Sequence, residues 1–151
     1  MSCPFCEIVA GRLDASVLAQ TDNALAFLDI RQAVPGHVLV IPKSHVQDIY
    51  AMTPELAGEV MQLSVRVAQA LREAFHPAGL NLWQSNGAAA GQEVPHFHLH
   101  VQPRRVADGL LRVYTHGAPS PSSRAELDDL AQRIQPFLPH DQGVPTPRSS
   151  S

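Results

Sequence analysis

The chain is poor in the residues that usually announce a function. It has two cysteines, one tryptophan and one lysine in 151 residues, and aromatic side chains make up only 5% of it. A chain of about 150 residues, able to bury roughly 70% of its unfolded surface, needs no disulfide staple. Basic residues are scarce: 11 Lys and Arg stand against 14 Asp and Glu, for a net charge of -3 with histidines neutral. That excludes a protein that lives on the phosphates of long nucleic acids, which would carry a basic face. There is no GxxxxGK[ST] run, and Lys43 alone cannot build an ammonium clamp, so any phosphate here must be held mostly by neutral donors. The longest apolar stretches, such as Val38 to Pro42, are far too short to span a membrane. The opening Met1-Ser2-Cys3-Pro4 has no charged region followed by an apolar one, so the expected location is the cytoplasm.

What remains is a globular composition, 44% hydrophobic and 17% charged, of single-domain length. We expect one domain over residues 1–138 and a disordered tail over 139–151, where little can be buried. Glu7 to Ala10 reads as a helical turn stopped by Gly11. Val17 to Gln20 and Ala24 to Ile30 read as strands around the polar turn Thr21-Asp22-Asn23. Val34-Pro35-Gly36 is a turn before the strand His37 to Ile41, which Pro42 ends. Thr53 before Pro54 is a helix start, and Leu56, Val60, Leu63, Val67 and Leu71 form an apolar stripe down to Phe75. Leu80 to Gln84 and Val94 to Gln102 read as further strands, separated by the loop Asn86 to Gly91. After the Pro- and Ser-rich linker Ala118 to Ser123, Arg124 to Phe137 reads as a last helix with Leu127, Leu130 and Ile134 on one stripe. The expectation is an α+β fold: an antiparallel sheet with one long helix and the C-terminal helix packed on it.

Two features carry chemistry. One is the pair Cys3 and Cys6, whose CxxC spacing, with no export signal, suggests metal or redox chemistry, or two inert thiols. The other is His96-Phe97-His98-Leu99-His100-Val101-Gln102. In a strand the three histidines project from one side, about 6.6 Å apart, while Phe97, Leu99 and Val101 enter the core. A lone strand histidine is ordinarily a solvated residue. Three in register add desolvation and mutual repulsion without packing gain, which points to metal binding or to phosphoryl chemistry.

His96 to Arg104 resembles the histidine-triad signature, His-φ-His-φ-His-φ-φ with φ apolar, with Gln102 in place of the last apolar residue. Gly91-Gln92-Glu93-Val94-Pro95, Phe27-Leu28-Asp29-Ile30 and Gly36-His37-Val38-Leu39-Val40-Ile41-Pro42-Lys43-Ser44-His45 also look like bacterial members of that superfamily, so the resemblance spans roughly residues 3 to 105. It implies a homodimer of α+β protomers that hydrolyses or transfers nucleoside monophosphates.

Residue by residue, the resemblance implies that His98 attacks the α-phosphorus, with its other ring N–H held by a backbone carbonyl of the neighbouring strand. His100 is expected to donate to a phosphate oxygen, and His37 to support the triad from the adjacent strand. Asp29 matches the acid that accepts both ribose hydroxyls, as two carboxylate oxygens suit a vicinal diol. Phe5, Ile8, Phe27, Leu28, Ile30 and Leu39 would line a cleft for a purine base. Asn86, Gly91 and Gln92 match the phosphate-side amides. Cys3, Cys6, His45 and His96 would complete a structural Zn²⁺ site, an arrangement shared with the related galactose-phosphate uridylyltransferases. Glu93 stands where the eukaryotic phosphoramidase branch has a serine, which leaves the leaving group open. The dimer has a physical rationale too: Ala57, Met61, Val65 and Ala68 widen the apolar face of the long helix, and Leu80 to Gln84 could continue the sheet across a two-fold axis. The reading is thus an enzyme working through a nucleotidyl-histidine, or, alternatively, a purine-nucleotide binding protein with little turnover.

Overall fold

The computed structural model describes residues 2–139. Its described residues fall into two units, one ending at Leu110 and the other beginning at Leu111. The expectation for the tail falls, apart from Pro139, outside the described residues.

The first unit is built on a five-stranded, wholly antiparallel sheet: β1 (Val17–Gln20), β2 (Ala24–Leu28), β3 (Val38–Pro42), β4 (Gly79–Trp83) and β5 (Leu99–Arg104), in the spatial order β1-β2-β3-β5-β4. Its central strands are buried on both faces and therefore read as apolar runs. Ala24, Ala26, Val38, Val40, Phe97, Leu99 and Val101 face one way. They pack on helix α2 (Pro54–Phe75) through Val60, Leu63, Val67 and Leu71, each no more than 5% exposed. Leu25, Phe27, Leu39 and Ile41 face the other way, with Phe5 of the short helix α1 (Pro4–Val9). That second face carries the candidate site.

Helix α2 begins and ends where the sequence implies. The Thr53 hydroxyl accepts from the Leu56 N–H at 3.2 Å, Pro54 needs no N–H partner at the first position, and His76 closes the helix with φ 45°. Gly36, at φ +102°, holds the turn into β3; a Cβ there would lie 3.0 Å from Pro103 and 3.1 Å from Leu71 and Phe75.

Two strands differ from expectation. β2 stops at Leu28, where the Asp29 N–H turns to the His37 carbonyl at 3.0 Å, and Ile30 is left 94% exposed. The strand expected from Val94 begins only at Leu99. Pro42 and Pro95 have no N–H to offer a ladder there. The Phe97 N–H goes instead to the Val46 carbonyl, and the Pro42 carbonyl is taken by His96 Nε2 at 2.8 Å. His96, at a bend, and His98 therefore sit on an irregular lead-in, and only His100 is in the strand.

In the second unit, Ser123 caps α3 (Arg124–Ile134) in a reciprocal pair with Glu126. The stripe Leu127, Leu130 and Ile134 contains no buried residue.

Candidate functional site

Because Phe97, Leu99 and Val101 are committed to the α2 face, His98 and His100 emerge on the opposite one. There they meet Phe5 and His37. His98 is 6% exposed, and its Nδ1 lies 2.7 Å from the carbonyl of His96. A carbonyl only accepts, so Nδ1 carries the proton and Nε2 keeps its lone pair. The holding carbonyl is thus two residues upstream on the same segment, not on a neighbouring strand as expected, because the lead-in curls before β5 starts. The Phe5 ring meets His98 edge-on at 5.3 Å and 82°.

The register of β3 and β5, with Leu39 opposite His100, brings in His37 from the residue before β3. His37 Nε2 lies 2.9 Å from His100 Nδ1. His37 Nδ1 faces two acceptors, the Arg31 carbonyl at 3.3 Å and Asp29 Oδ2 at 3.7 Å. It must therefore be protonated, which makes Nε2 an acceptor and His100 Nδ1 its donor. Neutral His100 then offers a lone pair at Nε2. The donor role expected of it requires a second proton on the ring. Burial, with the charges of His98 and His37, resists that proton and pushes His100 down to about 3 in the free protein. Burial also lowers His37, partly countered by Asp29. Indole stacking completes the group: Trp83 lies parallel to His100 with ring centroids 4.0 Å apart.

Other expected residues take unexpected parts. Asp29 Oδ1 accepts from the Arg31 N–H at 2.7 Å, so one carboxylate oxygen is already engaged beside the triad. Gln92 braces its loop: its carbonyl oxygen accepts from Gly87 N–H at 2.8 Å and its amide donates to the Gln47 carbonyl at 2.7 Å. Its second amide N–H remains for a phosphate oxygen. Asn86 is likewise occupied, accepting from Ile49 N–H at 2.8 Å and pairing with the Gln84 amide. Gly91 lies beside them at φ 86°. Phe5, Ile8, Phe27 and Leu39 gather in one apolar cluster, joined by Leu25, Ile41 and Val94. Leu28 does not belong to it: alternation turns its side chain to the α2 face. Ile30 is exposed beyond the end of β2. Glu93 pairs with Arg31 at 2.9 Å, both side chains well exposed.

The cysteines form the second centre. Cys3, Cys6, His45 and His96 present one donor atom each, all within 4.8 Å of one another. His96 Nδ1 lies 3.4 Å from Cys3 Sγ and 3.6 Å from Cys6 Sγ, and His45 Nδ1 lies 3.3 Å from Cys6 Sγ. Edges of a tetrahedral zinc site with sulfur and nitrogen ligands are roughly 3.4–3.8 Å, so the four fit that ion. The Pro42 carbonyl on His96 Nε2 fixes the proton there and turns the Nδ1 lone pair to the sulfurs. Four protein donors leave no open position. This is a structural donor set.

Trp83 and the Glu93–Arg31 pair escape motif reading. Only strand register puts Trp83 on His100, and register is not written in either segment alone.

Comparison with known proteins agrees with this geometry. The HIT domain model matches residues 10–107. The adenosine 5'-monophosphoramidase of Schizosaccharomyces pombe is 38% identical over 135 residues, 89% of this chain and 96% of that protein. A HIT family protein from Bacillus subtilis superposes with a TM-score of 0.85 at 34% identity, over 92% of this chain and 99% of the other. A zinc-bound histidine triad family protein from Mycobacterium smegmatis does so with a TM-score of 0.68 at 39% identity, over 88% of this chain and 98% of the other. A family match over more than half of the chain, spanning His37, His98 and His100, assigns the protein: it belongs to the HIT domain, or histidine triad, family.

Proposed function

We propose that the chain is a nucleotide-binding hydrolase or nucleotidyltransferase that cleaves nucleoside phosphate derivatives at the α-phosphate through a nucleotidyl-His98 intermediate. The observation that carries this reading is the 2.7 Å contact of His98 Nδ1 with the His96 carbonyl. It commits the proton to Nδ1 and leaves Nε2 an unprotonated nucleophile.

His98 Nε2 forms a bond to the α-phosphorus while the bond to the leaving group breaks. For this the complex must carry one further proton, taken up from solvent, on His100 Nε2; the leaving group takes that proton, and His100 is left neutral with its Nδ1–H still donated to His37. The His96 carbonyl meets the positive charge that forms on the His98 ring. Water then attacks phosphorus, its proton passes to His100 Nε2, and the bond to His98 breaks. Binding comes from Asp29 on the ribose hydroxyls and from Phe5, Ile8, Phe27 and Leu39 against a purine. Gly91 and the loop braced by Gln92 and Asn86 stand on the phosphate side. Such an apolar cleft separates purines poorly, which suits dinucleoside polyphosphates, phosphoramidates and adenylates alike. The adenosine 5'-monophosphoramidase among the relatives supports that class.

Cys3, Cys6, His45 and His96 would hold one structural Zn²⁺, which pins the N-terminal turn to the sheet and supplies no reacting group. A homodimer is supported by β4 lying at the sheet edge with Leu82 41% exposed, and by Met61 and Val65 of α2, 45% and 48% exposed. Among the described residues no helix is long and apolar enough to cross a membrane. The reading places the protein in the cytoplasm, acting on small nucleotides and not on nucleic acids. Turnover of a fluorogenic adenylate, lost in His98→Ala, tests the function. Tight nucleotide binding without turnover in the wild type would mark a binding protein instead.

A further inference from the structure

Trp83 is the single tryptophan of the chain, at the end of β4, and it belongs to neither of the apolar clusters that make the core. The register of β4 and β5 sets it directly opposite His100. Its indole lies 5° from parallel with the imidazole of His100. The same indole faces His37 at 5.3 Å and 31°, and His37 and His100 stack on each other at 5.1 Å and 27°. Three rings lean on one another, and the one that cannot ionise is the tryptophan.

We infer that Trp83 is the positioning residue for His100: its indole face fixes the imidazole plane, so that Nδ1 meets His37 while Nε2 is left for the substrate, and it favours the protonated ring. The inference rests on the proposed role of His100 beside the nucleophile. His100 rotates about two side-chain bonds, and a 2.9 Å contact with His37 holds one edge of the ring only. A flat surface at 4.0 Å removes the remaining freedom. Charge makes the second argument. The titratable groups facing His100 among the described residues are His98, His37 and, behind His37, Asp29. Burial and the two histidines oppose a proton on His100, and Asp29 is one ring removed. The negative face of an indole attracts a cation lying within about 6 Å of its centroid, so Trp83 is the neutral group in direct contact that offsets this opposition.

The test compares Trp83→Leu, Trp83→Met and Trp83→Phe with the wild type, each checked for folding by circular dichroism. Long-range proton–nitrogen NMR reads the His100 tautomer in the free protein at neutral pH, and the pH profile of kcat reads its protonation in the complex. In the wild type His100 is expected to carry its proton on Nδ1. In Trp83→Leu both tautomers should appear, kcat should fall about tenfold with KM within twofold, and the alkaline limb of kcat should move down by about half to one pH unit. Trp83→Phe should recover most of each effect. Should the leucine variant not fold, Trp83→Met, which fills an irregular space without an aromatic face, carries the comparison. A single Nδ1–H tautomer together with an unmoved alkaline limb in the leucine or methionine variant overturns the inference. A tautomer that responds as expected in a protein that turns over no nucleotide keeps Trp83 as the positioning residue and removes the proposed function.

Discussion

Phe5 meets His98 edge-on at 5.3 Å, and it reaches that position from between Cys3 and Cys6. It also touches the ring of His96 at 5.7 Å and of Phe27 at 5.5 Å. The residue that walls the proposed nucleophile therefore hangs on the two thiols of the metal set.

Metal removal should be felt twice. Metal bound only by the folded chain adds its binding free energy to stability. Chelation, or Cys6→Ser, should lower the Tm by about 10 °C. Activity should fall by less than tenfold, since no reacting atom touches the metal. Calorimetry with elemental analysis of untagged protein checks this; about one zinc per chain is expected, and metal-free protein with the same Tm would make the cysteines bystanders.

A core substitution on the opposite face should separate folding from function. Leu63 is 1% exposed in the α2 stripe against β2, β3 and β5. Leu63→Ala should cost about 2–5 kcal/mol in urea unfolding. With no contact to the histidine face, it should leave KM unchanged at temperatures well below its Tm.

These two regions differ in how readable they were. The long helix was legible from Thr53 to Phe75, because a capping hydroxyl, a proline at the first position and a stripe of period 3.6 agree. The gathering of Cys3, Cys6, His45 and His96 was legible from the resemblance, which no spacing rule alone would have given. The first part of the strand expected over Val94–Gln102, up to His98, was not, since alternation of His with apolar residues looks the same in a ladder and in a bent lead-in. Two prolines and the carbonyl claimed by His96 decide between them. Leu28 was assigned to the wrong face of β2 because a cleft-lining residue and a core residue are the same amino acid. Gln92 and Asn86 match a phosphate-side motif, but their bracing bonds to Gly87, Gln47 and Ile49 come from loops the motif does not contain.

Acid should destabilise the protein before its carboxylates protonate. His37 and His100 are held below the ordinary histidine value of 6.5 in the folded chain, His100 to about 3, chiefly by burial. Between those values the unfolded chain binds more protons, so this stability is fully present above about pH 6.5 and is lost as pH falls. Each group contributes at most a tenfold change in the unfolding constant per pH unit. Urea midpoints measured from pH 7 to pH 4 should fall, and His100→Gln should flatten the slope. A midpoint independent of pH in that range would contradict the burial of these rings.

Asp29 should be read through the sugar. If its carboxylate takes the ribose hydroxyls, the wild type should prefer a ribonucleotide over its 2'-deoxy analogue in kcat/KM by about tenfold, about 1.4 kcal/mol. Asp29→Ala should lose activity and that preference together. A preference retained by the variant would move the ribose site elsewhere.

The most direct measurement is rapid-quench intact-mass analysis of the protein mixed with an adenylated substrate. The account predicts one adenylyl group per active site, acid-labile and base-stable as a phosphoramidate is, located by peptide mapping on His98, and absent from His98→Ala. Full turnover by His98→Ala, or an adduct on any other residue, would contradict it.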